Sequence, residues 1–409
     1  MAKDWIIGET YQEETTTSSA AKPERNWPIL RSVAWVFVLS RLFFFEIAGL
    51  AYIYLPHAWV EAPEGTLPPS GNILYHILGG LWVHWDGLWY LSIATLGYHN
   101  RPQATAFFPL FPLAVKLFGG GVVGGIVFSL LCFLVALFLL ARLVAIDLGP
   151  KTAWYTLLGL AFFPTAFYAN AVYSESLFLM LSIGSLYFLR TGRYWIAGPL
   201  GALATLTTTY GGLLVLPFLW VIYRNHGFRI KKLLHALWMP LGLVSYMIFL
   251  IPRFGDPLVF EKVQQYWGRH FEFFPITIYQ AFQSAWTNAA SALNPHQLFA
   301  LGVPSTSPGN LFNLVFGLFA IVIAVLSAKR IPFYLYIYMI AALLIPFTYP
   351  AQGDPLMSMP RLVLEAWPLF LGLGSIMARV RWTRAVYFIV SIPFGMLLTA
   401  LFATAHWVA

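Results

Sequence analysis

Apolar positions along this chain come in runs of about twenty residues separated by short polar connections, the spacing expected of helices that cross a bilayer. At about 1.5 Å per residue, each run covers roughly 30 Å of hydrocarbon. A barrel would instead show short alternating segments, so helices follow. Spans are predicted at about 33–55, 122–146, 153–170, 172–189, 195–208, 210–223, 233–251, 309–328, 332–348, 361–378 and 385–406, about eleven in all. The short pair at 195–208 and 210–223 is interrupted by Pro199, Gly201, Gly211 and Gly212. Residues 1–26 are Thr/Ser/Glu-rich and lack an apolar stretch, so they read as a disordered cytoplasmic tail, neither signal peptide nor span. Residues 27–409 then form one polytopic, all-α membrane domain.

Composition agrees. The chain is 59% hydrophobic, 18% aromatic and only 10% charged, where soluble domains carry about 25% charge. A net charge of +8 would suggest nucleic acid in a soluble protein, but here the positions of the cations matter more than their number. With the N-terminus inside, the inner connections hold Arg142 and Lys151, Arg190 and Arg193, Arg224 through Lys232, Lys329 and Arg330, and Arg379 through Arg384. The outer side receives two long segments, about 56–121 and 252–308, which are poor in cations and expected to hold interfacial helices. Carboxylates sort the opposite way: Asp86, Glu175, Asp256, Glu261, Glu272 and Asp354 fall outside, and beyond the tail only Asp147 falls inside. Acid chemistry is therefore expected on the extracytoplasmic face. The single cysteine, Cys132, has no partner for a disulfide or a Cys-based metal site.

One outer stretch, His84 to Pro112, places polar chemistry in lipid-soluble surroundings. Trp82, Trp85 and Trp89 recur at helical spacing, which predicts an interfacial helix with its indole rings at headgroup level. Asp86 projects about 100° from that face. Phe107-Phe108-Pro109 and Phe111-Pro112 then look like the proline-started entry to a second dipping helix.

The run Trp85-Asp86-Gly87-Leu88-Trp89-Tyr90-Leu91, with Gly97-Tyr98 and Ala106-Phe107-Phe108-Pro109-Leu110-Phe111-Pro112, resembles the first lumenal loop of the PIG-V family of mannosyltransferases. Tyr173-Ser174-Glu175-Ser176, Gly255-Asp256-Pro257-Leu258 with Trp267-Gly268-Arg269, and Ser358-Met359-Pro360-Arg361 agree with it in order. The resemblance implies a GT-C glycosyltransferase fold and a polyprenyl-phosphate-linked sugar donor used on the extracytoplasmic or lumenal face. This chain departs from the pattern at Thr207-Thr208-Thr209-Tyr210-Gly211-Gly212, where relatives often carry an Arg-Pro pair before a glycine.

Asp86 is the candidate general base, as the resemblance also suggests. Glycosyl transfer needs an acceptor hydroxyl deprotonated as it attacks the anomeric carbon. The leaving group is already a phosphate, so one carboxylate suffices, unlike the acid and base pair of glycoside hydrolysis. Candidate substrate-binding residues are His84, Tyr90, Lys116, Glu175 and Arg361. Glu175 is placed to orient the acceptor or to bind Lys116 or Arg361, and a helix start also takes Glu for dipole reasons alone. Arg361, opening a span at the outer face, can grip two phosphoryl oxygens, while Glu365 at i+4 offers it a structural ion pair. Arg41 and Glu46 lie inside the first span about 140° apart and are expected to pair with other helices. Asp256 and Asp354, each in Gly-Asp-Pro-Leu, suit turns. His84 and His99 lack metal-ligand spacing, so neither metal nor cofactor is expected beyond the lipid-linked donor.

The expected activity is hexosyl transfer, with mannose favoured, in the cell membrane. Partners are the lipid bilayer, a polyprenyl-phosphate-sugar donor and a glycolipid, glycan or protein acceptor, without nucleic acid. A nucleotide-sugar donor is disfavoured because no inner connection is long enough for a nucleotide-binding domain. The rival readings are a transporter or flippase of lipid-linked sugars, suggested by the interrupted 195–223 region, and a non-catalytic assembly subunit.

Overall fold

The computed structural model describes residues 27–58, 73–98, 101–299 and 309–408. The predicted tail, loop residues 59–72 and 300–308, and His99 lie outside these. Among the described residues the main helices are α1 (Trp27–Tyr54), α2 (Asp86–Leu96), α3 (Gly121–Leu148), α4 (Pro150–Ala161), α5 (Glu175–Arg190), α6 (Tyr194–Thr205) and α7 (Val215–His226). They continue as α8 (Trp238–Phe254), α9 (Phe274–Ala292), α10 (Gly309–Ser327), α11 (Phe333–Thr348), α12 (Met359–Glu365), α13 (Pro368–Arg379) and α14 (Arg381–Ala403).

Five helical segments are long and apolar enough to cross a membrane: Ile29–Tyr54, Gly121–Leu148, Ile230–Phe254, Gly309–Ser327 and Arg381–Ala403. The pair α12 and α13, bent by 85°, makes a sixth if it is one span. The chain is thus an all-α, multi-pass membrane protein. Where hydropathy predicts crossings at 153–170, 172–189, 195–208 and 210–223, the helices α4, α5, α6 and α7 run only 12, 16, 12 and 12 residues. The reason is visible in α5. It is buried along nearly its whole length between α3 and α6, so its apolar residues serve helix packing rather than lipid contact.

Small residues let these helices approach closely, as expected where lipid offers no hydrophobic drive for association. At Gly374 on α13, an added Cβ would lie 2.3 Å from Thr156 Oγ1 on α4, so nothing larger than glycine fits there. Arg41 joins the bundle in another way. Its guanidinium donates to the carbonyls of Ala166 (2.7 Å) and Ala161 (3.1 Å) and to Asn170 Oδ1 (2.7 Å), and it stacks 4.6 Å from the Phe133 ring. Arg41 thereby satisfies backbone acceptors freed where α4 ends, while Glu46 is exposed on the outside of α1.

The two ends of α5 differ. At its C-terminal end, Arg190 Nε donates to Asp147 Oδ1 (2.6 Å), and Tyr334 Oη donates to Asp147 Oδ2 (2.6 Å). This end also gathers the basic connections after α3 and α5. At the other end, about 22 Å away by helix rise, Glu175 opens α5 beside the segments that carry Asp86 and Arg361.

Candidate active site

The interfacial stretch is arranged differently from the predicted single helix. Trp82 ends a short 3-10 turn (Gly80–Trp82) and is fully buried against Phe45, ring centroids 4.9 Å apart. The chain then breaks at Val83–Trp85, and α2 starts at Asp86. The three tryptophans therefore share no helical face. The break has its own anchors: Tyr173 Oη donates to the His84 carbonyl (2.9 Å), and Trp85 packs edge-on against Trp407 (4.9 Å). Trp85 adopts φ 52°, a left-handed conformation that costs a non-glycine residue about 1–3 kcal/mol. Asp86 consequently sits in the first turn of α2, where the helix dipole favours an anion.

One turn further along α2, the Tyr90 hydroxyl bonds Ser174 Oγ at 2.8 Å, tying α2 to the residue before Glu175. Arg361, in the first turn of α12, completes the cluster. Its Nη1 donates to Asp86 Oδ2, its Nε lies 3.2 Å from Glu175 Oε1, and its guanidinium sits 5.6 Å from the Tyr173 ring centroid. The Glu175 contact is an ion pair by distance without hydrogen-bond alignment, and Glu175 Oε2 is buried without a partner. Only one oxygen of Asp86 is occupied by Arg361.

These residues open onto a cavity of about 430 Å³. Its polar lining continues through Thr207, Thr208, Thr209, Tyr210, Arg269 and Glu365, and its apolar lining includes Phe107, Phe260, Trp267, Ile345, Leu362 and Trp407. The Tyr210 hydroxyl and Glu365 Oε2 are both buried and unpartnered. An orphaned buried polar atom costs about 1–3 kcal/mol, so such atoms mark places where a ligand would complete the hydrogen bonding.

Arg269 enters the cavity from a short antiparallel strap. Gln352 N donates to Gly268 O (3.0 Å), His270 N to Pro350 O (3.1 Å) and Glu272 N to Thr348 O (3.0 Å). Gly268 is required here: φ is 68°, and a Cβ would lie 3.2 Å from Gln352 N. The strap aims the Arg269 guanidinium at the carbonyls of Tyr349 (3.3 Å) and Met357 (3.2 Å). Burial pushes its pKa down from the ordinary arginine value. Left-handed non-glycine residues recur around the cavity, at Trp85, at Ser358 (φ 69°) and at Ala405 (φ 61°), two residues before Trp407.

Residues 69–235 match the family model of Mannosyltransferase (PIG-V). This PIG-V-like segment contains Asp86, Tyr90, Glu175 and Thr207–Tyr210, and ends before Arg269 and Arg361. GPI alpha-1,6-mannosyltransferase 2 of Mus musculus is 32% identical over 238 residues, covering 52% of this chain and 46% of the mouse protein. The Rattus norvegicus protein of the same name is 33% identical over 201 residues, covering 43% and 39%. The chain thus spans less than half the length of these curated relatives. Among solved structures, the Archaeoglobus fulgidus oligosaccharyltransferase is similar with a TM-score of 0.45 at 11% identity, covering 94% of this chain and 56% of that one. ArnT from Cupriavidus metallidurans, bound to undecaprenyl phosphate, is similar with a TM-score of 0.41 at 14% identity, covering 91% and 77%.

Of the residues singled out from the sequence, Asp86, Tyr90, Glu175 and Arg361 line the cavity together, whereas His84 and Lys116 do not. The His84 ring packs edge-on against Phe402 (5.5 Å), burial pushes its pKa down to about 4, and its Nε2 is buried without a partner away from the cavity lining. Lys116 is exposed on the short helix Leu110–Leu117. Arg361 turns to Asp86 and Glu175 rather than to Glu365. Asp256 holds its turn with its side chain, whereas the Asp354 side chain ties its segment to α10. Asp256 accepts Leu258 N (2.9 Å) and pairs with Lys262 (2.6 Å), and Asp354 accepts Asn313 Nδ2 (2.8 Å). Arg269, Glu365, Tyr210 and Trp407 were absent from the sequence-derived site. Arg269 was visible only as one of a few outer cations and as the end of a Trp-Gly-Arg run, and Tyr210 only beside the departure at Thr207–Thr209.

Proposed function

We propose that the chain is a GT-C-type membrane glycosyltransferase. It moves a hexose, with mannose favoured, from a polyprenyl-phosphate-linked donor to an acceptor hydroxyl on the extracytoplasmic side. The observation that carries this reading is the convergence of Asp86, Glu175 and Arg361 from separate segments onto one cavity with both polar and apolar walls. The PIG-V match over the segment that contains Asp86 and Glu175 supports the sugar-transfer chemistry. Basic connections gather at the opposite end of α5, which supports a cavity on the outer side under positive-inside insertion.

In the reaction, an acceptor oxygen bonds to the anomeric carbon as its proton passes to the free oxygen of the Asp86 carboxylate. The bond from the anomeric carbon to the phosphate oxygen breaks, and the polyprenyl phosphate leaves with the electron pair. Arg361 holds the other oxygen of Asp86 and so fixes the direction of the base. Aromatic and aliphatic lining, from Phe107 and Phe260 to Ile345 and Leu362, suits an amphiphilic donor.

The test compares transfer of radiolabelled sugar from polyprenyl-phosphate-mannose and polyprenyl-phosphate-glucose in membranes holding the intact protein or Asp86→Asn at equal abundance. The intact protein is expected to transfer from one donor, with mannose favoured, and the variant to lose at least about 100-fold in rate. Equal transfer by the two proteins would remove Asp86 as base. No transfer from either donor would overturn the glycosyltransferase reading and turn attention to flipping of lipid-linked sugars.

A further inference from the structure

We infer that Arg269, and not Arg361, is the group that holds the phosphate of the lipid-linked donor, with Arg361 acting as a positioning residue for Asp86. This rests on the glycosyl-phosphate reading above and assigns its phosphate subsite. The argument begins with the charges that line the cavity. Asp86, Glu175, Glu261 and Glu365 are the acidic residues there, and Arg269 and Arg361 the basic ones. An anionic donor entering such a cavity needs a cation that is not already compensated.

Arg361 is compensated twice. Its guanidinium lies between Asp86 and Glu175, so a phosphate approaching it would meet two carboxylates, even though its Nε, 3.2 Å from Glu175 Oε1, has no aligned hydrogen-bond partner. Arg269 differs. Among the described residues no carboxylate lies within ion-pair distance of it, Asp354 and Asp86 act on it only from further off, and its hydrogen bonds go to two neutral carbonyls at 3.2–3.3 Å. A guanidinium has five N–H donors in a planar fork, so the remainder are free for a bidentate phosphate contact. The strap of Gly268–Glu272 against Thr348–Gln352 holds the fork in place before substrate arrives, which lowers the ordering cost of binding. Trp267 and Tyr349 line the cavity beside it and Ile345 adds apolar wall, a setting for an apolar chain next to a charged head.

The division of labour also fits the charge flow. Negative charge grows on the leaving phosphate during transfer, and a fixed cation aimed at it stabilises the transition state more than the ground state. Charge on Asp86 decreases in the same step as it accepts the proton. One arginine serving both groups would face opposing demands; two separate arginines do not.

The experiment uses the full chain purified in detergent and measures tryptophan-fluorescence quenching by farnesyl phosphate and by farnesol. The intact protein is expected to bind the phosphate at least about tenfold more tightly, the range for one bidentate charge-assisted contact. Arg269→Gln should bring the two ligands within about twofold, and Arg269→Lys, which keeps a point charge and guards against misfolding, should retain part of the preference. Arg361→Lys should keep the preference within about threefold yet move the acid limb of the kcat/KM pH profile, which Arg269→Gln leaves in place. If Arg269→Gln keeps the full preference and Arg361→Lys loses it, the assignment is reversed and the inference fails while the donor reading stands. If the intact protein shows no preference for the phosphate, both fail.

Discussion

The two ends of α5 hold similar ingredients put to different use. At the basic end, Asp147 is a buried carboxylate with an oxygen for each partner, Arg190 and Tyr334, both at 2.6 Å. At the cavity end, Arg361 faces two carboxylates, and Glu175 Oε2, Glu365 Oε2 and the Tyr210 hydroxyl are left buried without partners. A network that is complete within the chain needs nothing more and serves to join α3, α5 and α11. A network that is incomplete within the chain costs stability until something else completes it. Arg41 falls between the two kinds: its donors end on the Ala161 and Ala166 carbonyls and on Asn170 Oδ1, while Asn170 Nδ2 is buried without a partner.

The sharpest way to break this comparison is Asp147→Asn, the counterpart of the Asp86 substitution at the other end. It removes the ion pair with Arg190 and keeps an oxygen for Tyr334. A loss of about 1–3 kcal/mol in thermal unfolding is expected, with sugar transfer unchanged at temperatures where the variant is folded. A fall in transfer at full foldedness would show that the basic end is coupled to the chemistry.

An effect of similar size at most is expected from pH. Asp354 lies outside the spans, and burial pushes its carboxyl up to about 6, against an ordinary value of 3.8. Its charged form is thus disfavoured in the folded protein. The associated stability is fully present below about pH 3.8, declines as pH rises through 6, and is absent above that. Asp354→Asn should remove this decline, worth up to about 3 kcal/mol, as read by unfolding midpoints between pH 4 and 7.

The smallest effect discriminates best. Tyr210→Phe deletes an orphaned hydroxyl and keeps the ring, so the protein without substrate should unfold at the same temperature or slightly higher, within about 1 kcal/mol. Transfer should weaken about three- to tenfold through KM if a substrate hydroxyl is its partner. A stability loss with unchanged KM would assign the hydroxyl to the fold instead.

These differences explain what could be read from the chain alone. Asp86 was conspicuous because a carboxylate among tryptophans answers no need of a bilayer, and Glu175 and Arg361 because each charge lies in the first turn of a helix. The site's other half depends on pairings distant in sequence. Arg269 is aimed by carbonyls of Tyr349 and Met357, about eighty positions later, and nothing near Gly268 announces them. The break at Val83–Trp85 was hidden because tryptophans at helical spacing look the same whether the backbone continues or turns. Hydropathy likewise ran α4 to α7 on beyond their helical lengths, since a side chain packed against another helix is as apolar as one in lipid. Lys116 shows the converse: an outer cation was grouped with the site by sidedness, while the fold leaves it exposed.

The left-handed residues around the cavity carry a consequence for directed evolution. Trp85, Ser358 and Ala405 each hold a conformation that glycine adopts at no steric cost. A screen for heat resistance would therefore favour glycine at 358 and 405, positions that border Arg361 and Trp407 and support the cavity wall. Relief of strain there would also loosen the wall, so tolerance of heat and turnover would be selected against each other at the same codons.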